Sequence, residues 1–131
     1  MADNTPSISS VINWFEIPCT DLPRAQTFYE TVLGCTMYSE DFGGAPMVVF
    51  EHQCPATGGC LVGGGAAKPS HDAGVRIYLD CSPSVEAALA RVPGAGGQVL
   101  DGCIELPKGI GFMAHVRDTE GNTIGLHAMS R

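Results

Sequence analysis

Apolar positions fall in short runs cut by glycine, proline and acidic turns, and twice the period lengthens from two to three or four. "VINWFEIPC", residues 11–19, is β-branched and aromatic and predicts a strand. Leu22, Ala25, Phe28, Tyr29, Val32 and Leu33 then recur at helical spacing. Asp21 offers the N-cap, Pro23 fits the first turn and Gly34 supplies the stop. Further strands are predicted at Cys35–Ser39, at "MVVFEH" (47–52) after the "GGAP" turn, and near Cys60–Val62. Gly63 to Ser70, with three consecutive glycines and a proline, marks a boundary.

The pattern then restarts. "VRIYLDC", 75–81, predicts a strand, and Ser82 with Pro83 opens a helix whose face is Val85, Ala88, Leu89 and Val92. Pro93 and Gly94 end it, a strand follows near Gln98–Leu100, and "GIGFMAHVRD" and "NTIGLHAM" form a hairpin around "TEG". Each half therefore reads strand, helix, then two or three strands. The expected organisation is a disordered tail over 1–10 and one domain over 11–130, with module one at 11–63, a linker at 64–73 and module two at 74–130.

Composition narrows the role. At 44% hydrophobic and 16% charged, the 131 residues suffice for an ordinary core. A net charge of -7 with scattered basic residues argues against a nucleic-acid partner. No apolar run is long enough to span a membrane, and "MADNTPSISS" lacks a secretory pattern, so a cytoplasmic location is expected. The six cysteines include no C-x-x-C pair and read as free, buried thiols of a reducing compartment.

"NWFEIPCTDLPRAQTFYETVLG" and "GGQVLDG…GFMAHVRDTEGNTIGLH" resemble the vicinal oxygen chelate superfamily, which includes glyoxalase I, bleomycin- and fosfomycin-resistance proteins and extradiol dioxygenases. The resemblance covers nearly all of 11–130, and its nearest branch is the one called glyoxalase-related. It implies an α+β fold: two βαβββ modules forming curled mixed sheets around a cavity, helices on the convex side. In the superfamily's enzymes four strand residues, mostly His and Glu, hold one divalent metal that chelates adjacent substrate oxygens.

Three of those four positions are unsuited here. The first, seven residues before the aspartate of "DL", is Trp14; the third is Arg76, whose guanidinium would repel a cation. The fourth, after the D-x-x-G turn, is Gly125. Only the second survives, as Glu51 or His52, and one ligand does not make a site. A displaced pair of Glu16 with His127, or a loop cluster of Glu51, His52 and Cys54, would be needed for any metal. The expectation is a protein without a cofactor.

Strand alternation instead gathers Trp14, Glu16, Arg76, Tyr78 and Thr123, with His127 deeper, on the cavity side. Arg76 could grip a carboxylate or phosphate and Trp14 could stack on a planar ligand. Glu16 is either the partner of Arg76 or a catalytic acid/base. Asp118, Glu120, Gly121 and Asn122 read as a structural turn. Two functions follow: a binding protein for a small anionic or planar molecule, or a glyoxalase-like lyase or isomerase using Glu16 or a displaced metal. The resemblance further implies a homodimer.

Overall fold

The computed structural model describes residues 11–64, 68–70 and 73–131, and within them the strand–helix–strand order repeats. Module one runs β1 (Trp14–Cys19), α1 (Leu22–Leu33), β2 (Met37–Phe42), β3 (Ala45–Phe50) and β4 (Gly58–Gly63). Module two runs β5 (Tyr78–Asp80), α2 (Val85–Arg91), β6 (Gln98–Val99), β7 (Ile104–Glu105), a 3₁₀ turn at Pro107–Gly109, β8 (Phe112–Arg117) and β9 (Thr123–Ala128). The first sheet has the order β1-β4-β3-β2; the second has β5-β9-β8-β6, with β7 also on β8. Both sheets are mixed, because β1 runs parallel to β4 and β5 parallel to β9. This is the expected α+β fold of two βαβββ modules. The expected tail at 1–10 and part of the linker lie outside the described residues.

Local chemistry sets α1 as predicted. Asp21 accepts from the Arg24 amide at 3.1 Å, and Gly34 closes the helix at φ 65°, where a side chain would be strained. The second helix starts later than the sequence suggested. Its cap is Ser84, which accepts from the Ala87 amide at 3.0 Å. Ser82 serves the strand instead: its amide donates to Asp80 Oδ1 at 2.9 Å. β5 is likewise shorter than 75–81, since Val75 and Arg76 are exposed and outside the ladder. β7 was not anticipated, its two residues carrying too little pattern to read.

One core joins the modules. Ile17, Phe28, Tyr29, Val32 and Leu61 from the first meet Val85, Val92, Val116 and Leu126 from the second. Each such side chain contributes about 1.5–3 kcal/mol on leaving water. The Arg91 guanidinium on α2 donates to the Val32 carbonyl at 2.7 Å, using a helix-end acceptor with no partner in its own helix. The helices therefore share one side, and the opposite, open face of each sheet carries the alternate residues.

The turn after β8 locks module two onto α1. Asp118 Oδ1 accepts from the amides of Glu120 and Asn122, and Oδ2 accepts from Tyr29 and Asn122 Nδ2. Asn122 Nδ2 also donates to the Pro18 carbonyl at the end of β1. Glu120 accepts from the Thr20 and Asp21 amides and pairs with Arg24 at 2.8 Å. The turn's role is architectural.

Candidate functional site

The edge strands of the two sheets, β1 and β5, flank a cleft of about 790 Å³. Its walls are mostly apolar, with Ile12, Phe15, Phe50 and Ile77 among them; Arg76, Glu51, Asp80 and His52 supply charge and polarity. Gly58 and Gly59 open β4 because rings need the space. A Cβ on Gly59 would overlap Phe15, and one on Gly58 would overlap His52. His52 Nδ1 lies 2.9 Å from the Phe50 carbonyl, so Nδ1 holds the proton and Nε2 keeps its lone pair. Trp14 meets the same imidazole edge-on, with ring centroids 5.7 Å apart.

On the open face of the second sheet three side chains form a chain of short hydrogen bonds. Asp101 grips His115 twice: Oδ1 accepts from the His115 amide at 2.6 Å, and Oδ2 lies 2.7 Å from Nδ1. A carboxylate only accepts, so Nδ1 carries the proton and Nε2 is the acceptor. The Tyr78 hydroxyl lies 2.7 Å from Nε2 and donates to it. Gly125 makes this contact available. It pairs with Tyr78 on one side and His115 on the other, and a Cβ there would overlap the Tyr78 ring.

The residues singled out in the sequence are divided by the fold. Arg76 and Tyr78 line the cleft; Glu16 and Thr123 line a second groove of about 300 Å³; Trp14 and His127 line neither. Among the described residues no ion pair joins Glu16 to Arg76. Glu16 stands opposite Cys60, whose thiol is pushed up by burial and then by the Glu16 charge, against a hydrogen bond from Trp14. His127 Nε2 donates to the Ile110 carbonyl at 2.7 Å, tying this histidine to the loop before β8. Glu51 has an exposed side chain in the cleft, and its amide donates to the Thr36 carbonyl.

At three of the four positions where the resemblance implies metal ligands, the groups present are not ligands. The Tyr78 ring covers Gly125, Arg76 brings a cation, and Trp14 brings an indole. Among the described residues no three His, Cys, Asp or Glu side chains converge as a metal group. All six cysteines are free; Cys19 and Cys81 are buried, and burial first of all pushes their thiols up to about 12 and about 11. These thiols are suited to packing.

Sequence reasoning missed Asp101, His115 and Arg117. Alternation in "FMAHVR" carried the signal: Ala114 and Val116 enter the core, so Met113, His115 and Arg117 share the open face.

Comparison with known proteins agrees with the fold. Residues 12–51 match the family described as bleomycin resistance protein-like N-terminal. No curated protein matches. A glyoxalase/bleomycin resistance protein from Streptomyces sp. CB03234 is 26% identical, with a TM-score of 0.67 over 87% of this chain and 96% of that one. A glyoxalase-related enzyme from Fulvimarina pelagi is 14% identical, with a TM-score of 0.64 over 92% and 88%. A glyoxalase I variant from Zea mays is 19% identical, with a TM-score of 0.68; the match covers 88% of this chain but 46% of the maize protein. Among the described residues no helix is long and apolar enough to cross a membrane.

Proposed function

We propose, for a chain that belongs to the vicinal oxygen chelate superfamily by its fold and by its first module, that it binds a small anionic or planar organic molecule between its modules, without the metal of the superfamily's enzymes. The observation that carries this reading is Arg76, a guanidinium on the wall of a mostly apolar cleft of about 790 Å³ whose acidic groups, Glu51 and Asp80, leave it as the group suited to an anion. That volume falls in the range of sites for small organic ligands. An arginine among apolar walls favours a ligand that pairs a carboxylate or phosphate with a flat apolar body. The superfamily's metal role has no counterpart in Trp14, Arg76 and Gly125.

The test uses 8-anilinonaphthalene-1-sulfonate, a planar anion, read by energy transfer from Trp14, the chain's single tryptophan. Saturable binding is expected, weakened by roughly 1.5–3 kcal/mol in Arg76→Ala, the scale of a charged hydrogen bond. Unchanged affinity would remove Arg76 from the site. The same reading takes the protein as a homodimer, supported by exposed Trp14, Ile110 and Met129, and light scattering would give its mass in solution.

A further inference from the structure

The Asp101–His115–Tyr78 chain is more than packing requires. Tyr78 is 48% exposed, so its ring could shield Gly125 with the hydroxyl left to water. Instead the hydroxyl meets an imidazole whose tautomer is fixed from behind by a carboxylate held at both oxygens. Two residues along β8 on the same face, roughly 7 Å away by strand geometry, stands Arg117. Its Nε is buried and has no hydrogen-bond partner among the described residues. An oriented hydroxyl, a proton acceptor behind it and, two residues along the same face, a guanidinium nitrogen without a partner are the parts of a reactive site.

We propose that Tyr78, His115 and Asp101 form a metal-free acid–base site that exchanges a proton with a small organic anion, whose charge Arg117 meets. A proton leaving the substrate's O–H or C–H passes to Tyr78 Oη as the phenol's own proton passes to His115 Nε2. The substrate X–H bond breaks, a new O–H bond forms at Tyr78, and the electron pair stays on the substrate. Asp101 holds the resulting imidazolium. Return of the proton to the same or another substrate atom restores the starting state, so no co-reactant is consumed. Tyr78 is the catalytic residue; His115 relays the proton and Asp101 positions it. Tyr78 also lines the cleft beside Arg76, so the relay deepens the ligand-binding reading, but its hydrogen bonds are argued without Arg76.

The test exploits an internal control. Tyr38 is 44% exposed, close to Tyr78, but makes no such contact, and the third tyrosine, Tyr29, is buried. Acetylation by N-acetylimidazole, mapped by peptide mass, should proceed roughly tenfold or more faster at Tyr78 than at Tyr38, the low end of base-assisted rate gains being larger still. Asp101→Asn should remove the advantage with the fold intact. The Asn carbonyl must stay on the His115 amide, so its NH₂ faces Nδ1 and forces the proton onto Nε2. Nitrogen-15 shifts of the His115 ring report that inversion, which a purely structural role would leave without effect on Tyr78. Equal rates at Tyr78 and Tyr38 in the unaltered protein, or an advantage that survives the inverted tautomer, would overturn the proposal. If Asp101→Asn fails to fold, the Tyr78-to-Tyr38 ratio and the ring shifts of the unaltered protein decide. 4-Hydroxybenzoate, a carboxylate with an ionisable hydroxyl, should protect Tyr78, and Arg117→Met should abolish that protection; no protection would overturn the place given to Arg117.

Discussion

Tyr29, buried in α1, donates its hydroxyl to Asp118 Oδ2 at 2.6 Å, which ties the helix of one module to the hairpin turn of the other. Burial, then the Asp118 charge and this hydrogen bond, pushes the phenol well above its ordinary range. Tyr29→Phe should cost about 1.5–3 kcal/mol in urea unfolding, the scale for a hydrogen bond to a charged group. Asp118→Ala should cost more, because it also strands the amides of Glu120 and Asn122. The phenol's folded-state value lies above its unfolded one. Its contribution is therefore complete below about pH 10 and lost as pH rises through the folded value. Tyr29→Phe should flatten that alkaline decline.

Glu120 predicts the acid limb. Burial alone would raise its carboxyl, but hydrogen bonds from Arg24, the Asp21 amide, Thr119 and the Thr20 amide together outweigh burial and hold it at about 2. A depressed folded value means stability that is complete above the unfolded value, near 4.5, and lost as pH falls toward 2. Glu120→Gln should be less stable than the unaltered protein at neutral pH. The two denaturation midpoints should converge below pH 2. A gap that persists undiminished there would mean that charge is not what Glu120 contributes.

Gly125→Ala should misplace Tyr78. The added methyl overlaps the ring, so either Tyr78 swings off the sheet or the strands part, at about 1–3 kcal/mol for such overpacking. Tyr78 and His115 would separate, and the ring-current shifts that their edge-on contact produces, with centroids 5.4 Å apart, should disappear from the His115 proton spectrum. Retained shifts with unchanged stability would contradict the role given to this glycine.

Much of the fold was legible because its signals are local. Asp21, Pro23 and Gly34 bracket α1, and the hairpin expected within residues 109–118 and 122–129 contains β8 and β9. The start of α2 was misread because Ser82 and Ser84 both suit a cap, and only Asp80, facing back from β5, draws Ser82 away. The open-face residues were partly legible. Alternation gave the face of Glu16, Tyr78 and Thr123, but the distribution of Arg76 and Glu16 between two grooves depends on how β1 and β5 lie against each other. His115 was overlooked because its meaning comes from Asp101, 14 residues away across the β7 loop, which no period along one strand can reveal.

The cleft is proposed as a small-molecule site that works without the superfamily's divalent ion. Elemental analysis of the purified, tag-free protein tests it most directly, before and after dialysis against nickel, manganese, iron and zinc. No stoichiometric metal is expected in any sample, and anionic probe binding should be indifferent to chelator. One equivalent of a tightly held ion, lost together with probe binding when chelator is added, would contradict the proposal and turn attention to Glu16, Glu51 and His127 as ligands.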